Sequence, residues 1–540
     1  MIARLIRWSA NNLLLIAVGV IFATGFGIYA VKHVPLDAIP DLSDTQVIIY
    51  TDYPGQAPQV VEDQVTYPLS TAMLSVPKSR VVRGFSFFGV SFVYVIFQDG
   101  TDIYWARSRV VEYLSAASRN LPNGVTPTLG PDATGVGWVY QYAVVAAKRT
   151  LAELRTTQDW QVRYAVAKAE GVAEVASVGG FVKQYSIVVD PSRLRSYSIP
   201  LTKVRDAIRS SNNDVGGRVI ELAETEFMVR GRGYLRSVDD IEQIVLKEEN
   251  GASVLLKDVA RVEITPDERR GITELNGEGE AVSGIAVQRY GQNALDVIDN
   301  VKSQLEAIKS SLPDGTDIIP VYDRSELIHR AIQTLKITLI EESIIVALVC
   351  IVFLLHFRSA FVAILTLPLG ILIAYIFMHA LGLSSNIMSL GGIAIAIGAM
   401  IDAAIVMIEN AHKHLERAPP DKPRTEILIE AASEVGPPLF FSLLIITVSF
   451  LPIFALEAQE GRLFHPLAYT KTFAMAAAAF LSVTVVPALM IIFVRGRIIP
   501  EHKNPVNRFL IWAYRPMIRG VLKAKTLTIM VAVAILAGSA

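Results

Sequence analysis

The sequence predicts an α+β membrane protein: a bundle of transmembrane helices carrying a large extramembrane region of βαβ units. Three observations predict it. Uncharged apolar runs of membrane length recur along the chain. Between the first two lies Lys32–Lys336, a polar stretch long enough for roughly one to three domains, where strand and helix periodicities alternate. Charge is sparse, at 19% of residues, against about 25% in an ordinary soluble protein.

Composition removes several classes. Of 540 residues 52% are hydrophobic and the mean hydropathy is +0.42, so the chain is neither fibrous nor disordered. A net charge of −1 gives no basic excess for nucleic acid. The single cysteine, Cys350, excludes an internal disulfide and a Cys-rich metal site. There is no Walker motif, nucleotide-binding glycine loop or GxSxG elbow. ATP-driven transport and serine hydrolysis therefore have no support.

A membrane helix needs roughly 20 mostly apolar residues. Leu13–Val31 meets this and follows Arg4 and Arg7 without a small-residue cleavage pattern, so it reads as an uncleaved anchor behind a cytoplasmic segment, 1–12. Within the external region Gln46–Asp52 is a strand and Ala57–Leu74 a helix. Val81–Ser86 and Val90–Phe97 are strands, and Asp102–Leu121 is a helix that starts at Asp102 and stops before Pro122. This order begins a split βαβ sandwich. A second begins at Gly137, with strand Tyr140–Ala146, helix Leu151–Ala167 and strand Val172–Gly179. It resumes at Ala281–Gln288, Leu295–Leu312 and Asp317–Tyr322. The Arg- and Asp-rich Gln184–Gly271 is read as an inserted α and β module.

The later spans are expected at 337–357, 360–378, 387–408, 435–456 and 472–494, with 409–434 a cytoplasmic loop. Lys and Arg gather at Arg358, in 409–434 and after Arg495, including Arg497, so these segments face inside. Asn504–Lys525 has Arg508, Arg515, Arg519 and Lys523 on one face and Leu510, Tyr514, Met517 and Val521 opposite. It is an interfacial amphipathic helix within 495–526, which Pro516 would kink. Leu527–Ala540 spans about 21 Å as a helix, too short to cross. It reads as the start of a seventh span, and the chain as the first part of something longer.

The fourth span carries the chemistry. Asp402 sits inside it, where a carboxylate costs on the order of 3 kcal/mol or more and must face water or a partner. Protonation relieves that cost, which is what a proton carrier needs. Glu409, seven residues on, shares its face near the cytoplasmic end. The other spans hold no Lys or Arg, so a cationic partner for Asp402 has to come from elsewhere. Gly391, Gly392 and Gly398 suit close helix packing.

Methionine placement is the second signal. Met400 and Met407 share a face turned well away from Asp402, Met388 stands at the outer end of the same span, and Met475 and Met490 lie in the sixth. Thioethers suit Cu(I) rather than hard divalent ions. Spacing alone nevertheless favours apolar filler over a metal path. Cys350 reads as a core hydrophobe, and His412 and His414 as solvated loop residues.

Several stretches carry a family resemblance: VPLDAIPD at Val34–Asp41, YPGQA at Tyr53–Ala57, RGFSFFG at Arg83–Gly89, GPDATGVG at Gly130–Gly137 and GGIAIA at Gly391–Ala396. On these the chain resembles the resistance–nodulation–division (RND) transporters, specifically the N-terminal half of a copper/silver pump of the heavy-metal efflux branch. The resemblance implies proton-driven export of Cu(I) or Ag(I), with no permanently bound cofactor, by a homotrimer in a Gram-negative inner membrane. It implies docking to a periplasmic adaptor and an outer-membrane channel, and a C-terminal half that holds the substrate cleft. It places porter subdomains at about 45–135 and at about 136–182 with 273–325, and a docking subdomain at about 183–272. Asp402 falls at the proton-relay position of the fourth span, with Glu409 added to the relay from its place on the same face, and Met388, Met400, Met407, Met475 and Met490 fall at relay-methionine positions, which reverses the weighting from spacing. Arg83 falls in the porter cleft.

Two departures stand out. Glu268 occupies the place, just before Arg269-Arg270-Gly271, where a periplasmic relay methionine is expected. Ala396 stands where divalent-metal pumps carry an extra acid, which favours the monovalent branch. The alternatives are a zinc, cobalt or cadmium pump of the same branch, or a non-transporting or defunct half-pump.

Overall fold

The computed structural model describes residues 1–539 except Asn250, Arg270, Pro420, Arg497, Ile499, Glu501 and His502. The readings that involve Arg270, Arg497 and Ala540 therefore lie outside the described residues. The chain divides into two compact units. One comprises Met1–Val139, Val287–Asn300 and Asp323–Ala540, and the other Tyr140–Ala286 and Val301–Tyr322.

The first unit holds the helix bundle and the helices that flank it: α1 (Ile2–Asn11), α2 (Leu13–His33), α3 (Arg324–Leu354), α4 (Phe357–Ala380), α5 (Ile387–Arg417), α6 (Arg424–Val448), α7 (Ala458–Val483), α8 (Val485–Phe493), α9 (Pro505–Lys523) and α10 (Lys525–Ser539). Five described helices are long and apolar enough to cross a membrane, or up to seven if each of two bent pairs is one span. Those pairs are α7 with α8, bent by 50°, and α9 with α10, bent by 93°.

Helix ends differ from the hydropathy reading for a consistent reason. Hydropathy marks only the apolar part of a helix, while polar side chains extend it into water. α3 starts at Arg324, ahead of the expected residue 337, because Asp323 caps it through the Ser325 N–H at 2.9 Å. The expected loop 409–434 is mostly helical, since α5 runs to Arg417 and α6 starts at Arg424. Glu409–Lys413 at 2.6 Å, one turn apart, and His414–Glu434 at 2.6 Å brace these ends. α9 runs unbroken through Pro516, and the chain bends after Lys523 instead.

In the same unit, strands Ser79–Phe87, Val90–Phe97, Gln46–Asp52 and Pro127–Leu129 form a sheet in that order. Every second residue of Gln46–Asp52 is buried. Val47, Ile49, Val93 and Val95 meet Leu69, Val110 and Leu114 of the two covering helices. The first of these, Pro58–Met73, opens into a π-turn over Glu62–Thr66. The matching helix of the second unit, Leu151–Ala167, opens into the same turn over Gln158–Val162 without a proline, so Pro68 is not what makes it. Asp102 caps the second through the Trp105 N–H at 2.7 Å.

The second unit repeats the plan. Its sheet runs Thr316–Asp323, Trp138–Ala146, Val282–Gln288, Val172–Gly179. In both sheets the spatial order is fourth, first, third, second strand. Residues 183–271 are inserted between the second and third strands. This insert pairs strand Lys183–Val189 with Ala260–Pro266 around its own small core of Leu194, Val204, Ile241 and Leu256. It also carries a fully exposed hairpin, Val215–Leu222 with Thr225–Gly231.

Candidate functional site in the helix bundle

α5 packs against α3, α4, α6 and α7 and divides its residues between two faces. Met400 and Met407 turn inward and are buried, in one apolar cluster with Met475 of α7 and Met490 of α8. A Cβ at Gly370 of α4 would collide with the Met400 methyl carbon, so glycine there makes the room the thioether fills. Gly392 lets α5 approach α7, where a Cβ would strike the Leu467 carbonyl and Thr470. Met388 is half-buried at the start of α5. The structure thus gathers four of the five singled-out methionines into one core.

The other face of α5 is open. Gly391, Ile395, Gly398 and Asp402 recur at helical spacing, and the last three are exposed. Gly391 and Gly398 have open space where a Cβ would stand. No described residue gives Asp402 a hydrogen bond or an ion pair. Glu409 continues the stripe, half-buried and paired with Lys413. The two expected functions therefore separate on one helix, with thioethers inward and carboxylates outward.

A cavity of about 350 Å³ opens beside Glu409, lined also by Cys350, His412, Lys413 and Asn504. His412 corrects the sequence reading: it is only 6% exposed. Ser359 Oγ lies 2.8 Å from His412 Nε2 and 2.7 Å from His356 Nδ1, and His356 Nε2 lies 2.9 Å from the Arg495 carbonyl. A carbonyl only accepts, so with neutral imidazoles the direction is fixed. His356 Nε2–H donates to Arg495, Ser359 donates to His356 Nδ1, and His412 Nε2–H donates to Ser359. The available signal was position, since His412 follows Ile401 and Ile408 by eleven and four residues and so shares their buried face. Lys471 is a further cation among apolar helices. It lies inside α7, its Nζ 3.1 Å from the Phe450 ring centroid.

At the extramembrane end, two arginines tie helix starts to the linker after α2. Arg324, 4% exposed, donates to Asp37 at 3.2 Å and to the Trp138 carbonyl at 2.8 Å. Burial pushes the Asp37 carboxyl up, with Arg324 pulling the other way. Arg462 at the start of α7 holds the Leu42 carbonyl, Asp44 and Asp99. Arg83 is exposed on the edge strand of the first sheet, across from Tyr94. In the second unit Glu268 lines a cavity of about 260 Å³ with Arg155, Phe181 and Arg269. Within the first unit the structure does not gather Arg83 with the methionine core.

Comparison with known proteins places this architecture. The model of the AcrB/AcrD/AcrF family matches residues 5–540. The chain is 58% identical to the cation efflux system protein CusA of Escherichia coli K12, over 98% of this chain and 52% of that protein. It is 56% identical to the putative cation efflux system protein SilA of Salmonella typhimurium, over 98% and 52%. It is 36% identical to the cation efflux system protein CzcA of an Alcaligenes strain, over 95% and 49%. A crystal structure of a heavy metal efflux pump superposes with a TM-score of 0.82 at 32% identity, covering 99% of this chain and 51% of that one. The chain spans about half the length of the relatives it matches. It belongs to the AcrB/AcrD/AcrF family of RND transporters, in the heavy-metal efflux branch.

Proposed function

We propose that the chain forms part of a proton-driven exporter of the monovalent soft ions Cu(I) and Ag(I). The observation that carries this reading is the division of α5: Met400 and Met407 join Met475 and Met490 in a buried core, while Asp402 faces out. Buried thioethers offer successive soft-donor stations, with Met388 at the entry, and exclude hard ions by chemistry. Asp402 and Glu409 take and release protons on the open stripe, and the cationic partner of Asp402 comes from a helix packed there. The higher identity to CusA and SilA than to CzcA supports the monovalent choice. Ala396, in place of an acid, supports it as well.

The protein works in the inner membrane of a Gram-negative bacterium, with Lys32–Lys336 in the periplasm. There the two split βαβ sheets act as porter subdomains, with Arg83 of the first as a cleft residue, and the 183–271 insert acts in docking. It assembles as a trimer with a periplasmic adaptor and an outer-membrane channel. The exposed hairpin with Val219, Ile220, Phe227 and Met228 offers apolar surface of the kind a neighbouring copy covers. The ions are cargo, and no resident cofactor takes part. Replacing Met400 and Met407 together by Ile tests the reading: silver or copper resistance should be lost while assembly persists. Unchanged resistance would sink the methionine path.

A further inference from the structure

α2 and α4 end side by side. Gly27 of α2 packs so closely on α4 that a Cβ there would strike Leu372. Beyond the helices the two following linkers pair through a bridge between Leu36 and Ser385. The Asp37 N–H donates to the Ser385 carbonyl at 3.0 Å, and the Ser385 N–H to the Pro35 carbonyl at 2.8 Å. This clamp brings together two histidines that the sequence keeps far apart, His33 and His379, each in the last turn of its helix.

Their ring centroids lie 6.3 Å apart. Two collinear bonds of about 2 Å, the length imidazole makes to a first-row metal, together with the distance from each centroid to its nitrogen, span about that separation. His33 Nδ1 sits 2.8 Å from the Tyr29 carbonyl. That carbonyl can only accept, so in the neutral ring Nδ1 bears the proton and Nε2 keeps a free lone pair. Metal-binding histidines are oriented in this way by the group behind them. Tyr29 also stacks on His33 at 3.9 Å and meets the His379 ring edge-on at 5.6 Å, holding both rings. No described residue hydrogen-bonds the His379 ring. His33 is exposed and His379 half-buried, so an ion has access. Both helices present their negative C-terminal poles here, which favours a cation.

Among the described residues no three His, Cys, Asp or Glu side chains converge. A hard divalent ion therefore finds no set of ligands, whereas a two-coordinate soft ion needs only two donors. We propose that His33 and His379 form a two-nitrogen capture site for a soft monovalent cation where α2 and α4 meet the extramembrane region. The inference rests on the export reading above, to which it adds a nitrogen station ahead of the sulfur core.

The test is X-ray absorption of the purified full protein loaded with Cu(I), beside titration with Ag(I). Wild type should show nitrogen as well as sulfur neighbours. His33→Asn and His379→Leu should each lose the nitrogen signal and bind one ion fewer. His33→Met, which restores a soft donor, should recover the stoichiometry with sulfur in place of nitrogen. Metal bound by sulfur alone, equally in wild type and both loss variants, would overturn this site and leave the export reading standing. No bound metal in any variant would overturn both.

Discussion

Met400 and Asp402 are two residues apart and turn to different surroundings, so each can be altered without the other. Exchanging a buried methionine for a branched aliphatic of similar volume costs under about 1.5 kcal/mol. The double Ile replacement of Met400 and Met407 should therefore lower the melting temperature by only a few degrees while removing both thioethers. Loss of resistance in a protein that still assembles would then report chemistry rather than collapse. Asp402 was legible because an acid in an apolar run stands out against the cost of burying charge. His412 was not, since a histidine among charged residues looks solvated until the helix is known to run on. Nor was the His33–His379 pairing, because nothing local links residues on separate helices.

At the scale of elements, the α5–α7 contact depends on one side-chain-free position. Gly392→Ala should destabilise the bundle, by about 1–3 kcal/mol for an overpacked contact, because the atoms it meets include the Leu467 backbone. Gly391→Ala, one residue away with open space around it, should be tolerated by this chain. Thermal unfolding in detergent compares the two. The extramembrane insert offers a pH prediction. Asp190, Asp214 and Asp240 are held below the usual carboxylate range, chiefly by the backbone N–H groups of Ser192, Gly233 and Arg236 respectively. Stability from such groups is present above the ordinary carboxylate pKa, about 4, and is lost as pH falls through it and below. Protection factors against hydrogen exchange in this segment, taken relative to the intrinsic rate at each pH, should fall on acidification, and Asp190→Asn with Asp240→Asn should flatten that response. The strands were readable, as the alternation in Gln46–Asp52 marks both its ends. The helix ends were not, because caps such as Asp323 and pairs such as Glu409–Lys413 carry helices past the apolar run.

For the whole molecule, two sheets of the same strand order and one methionine-lined bundle follow from a sequence whose average composition hides both. The repeated plan was legible as a second strand–helix–strand order from Gly137 that resumes at Ala281, although the 183–271 insert splits it. Within the first unit, Arg324 and Arg462 fasten the starts of α3 and α7 to residues 37–44, so movement of those helices reaches the linker directly. The central claim is that proton movement at Asp402 drives a soft ion past the buried thioethers. Silver uptake into inside-out vesicles under an imposed proton gradient, acid inside, tests it most directly. The account predicts gradient-dependent accumulation by the wild type, and none by Asp402→Asn despite unchanged silver binding. Accumulation by Asp402→Asn at the wild-type rate would contradict it.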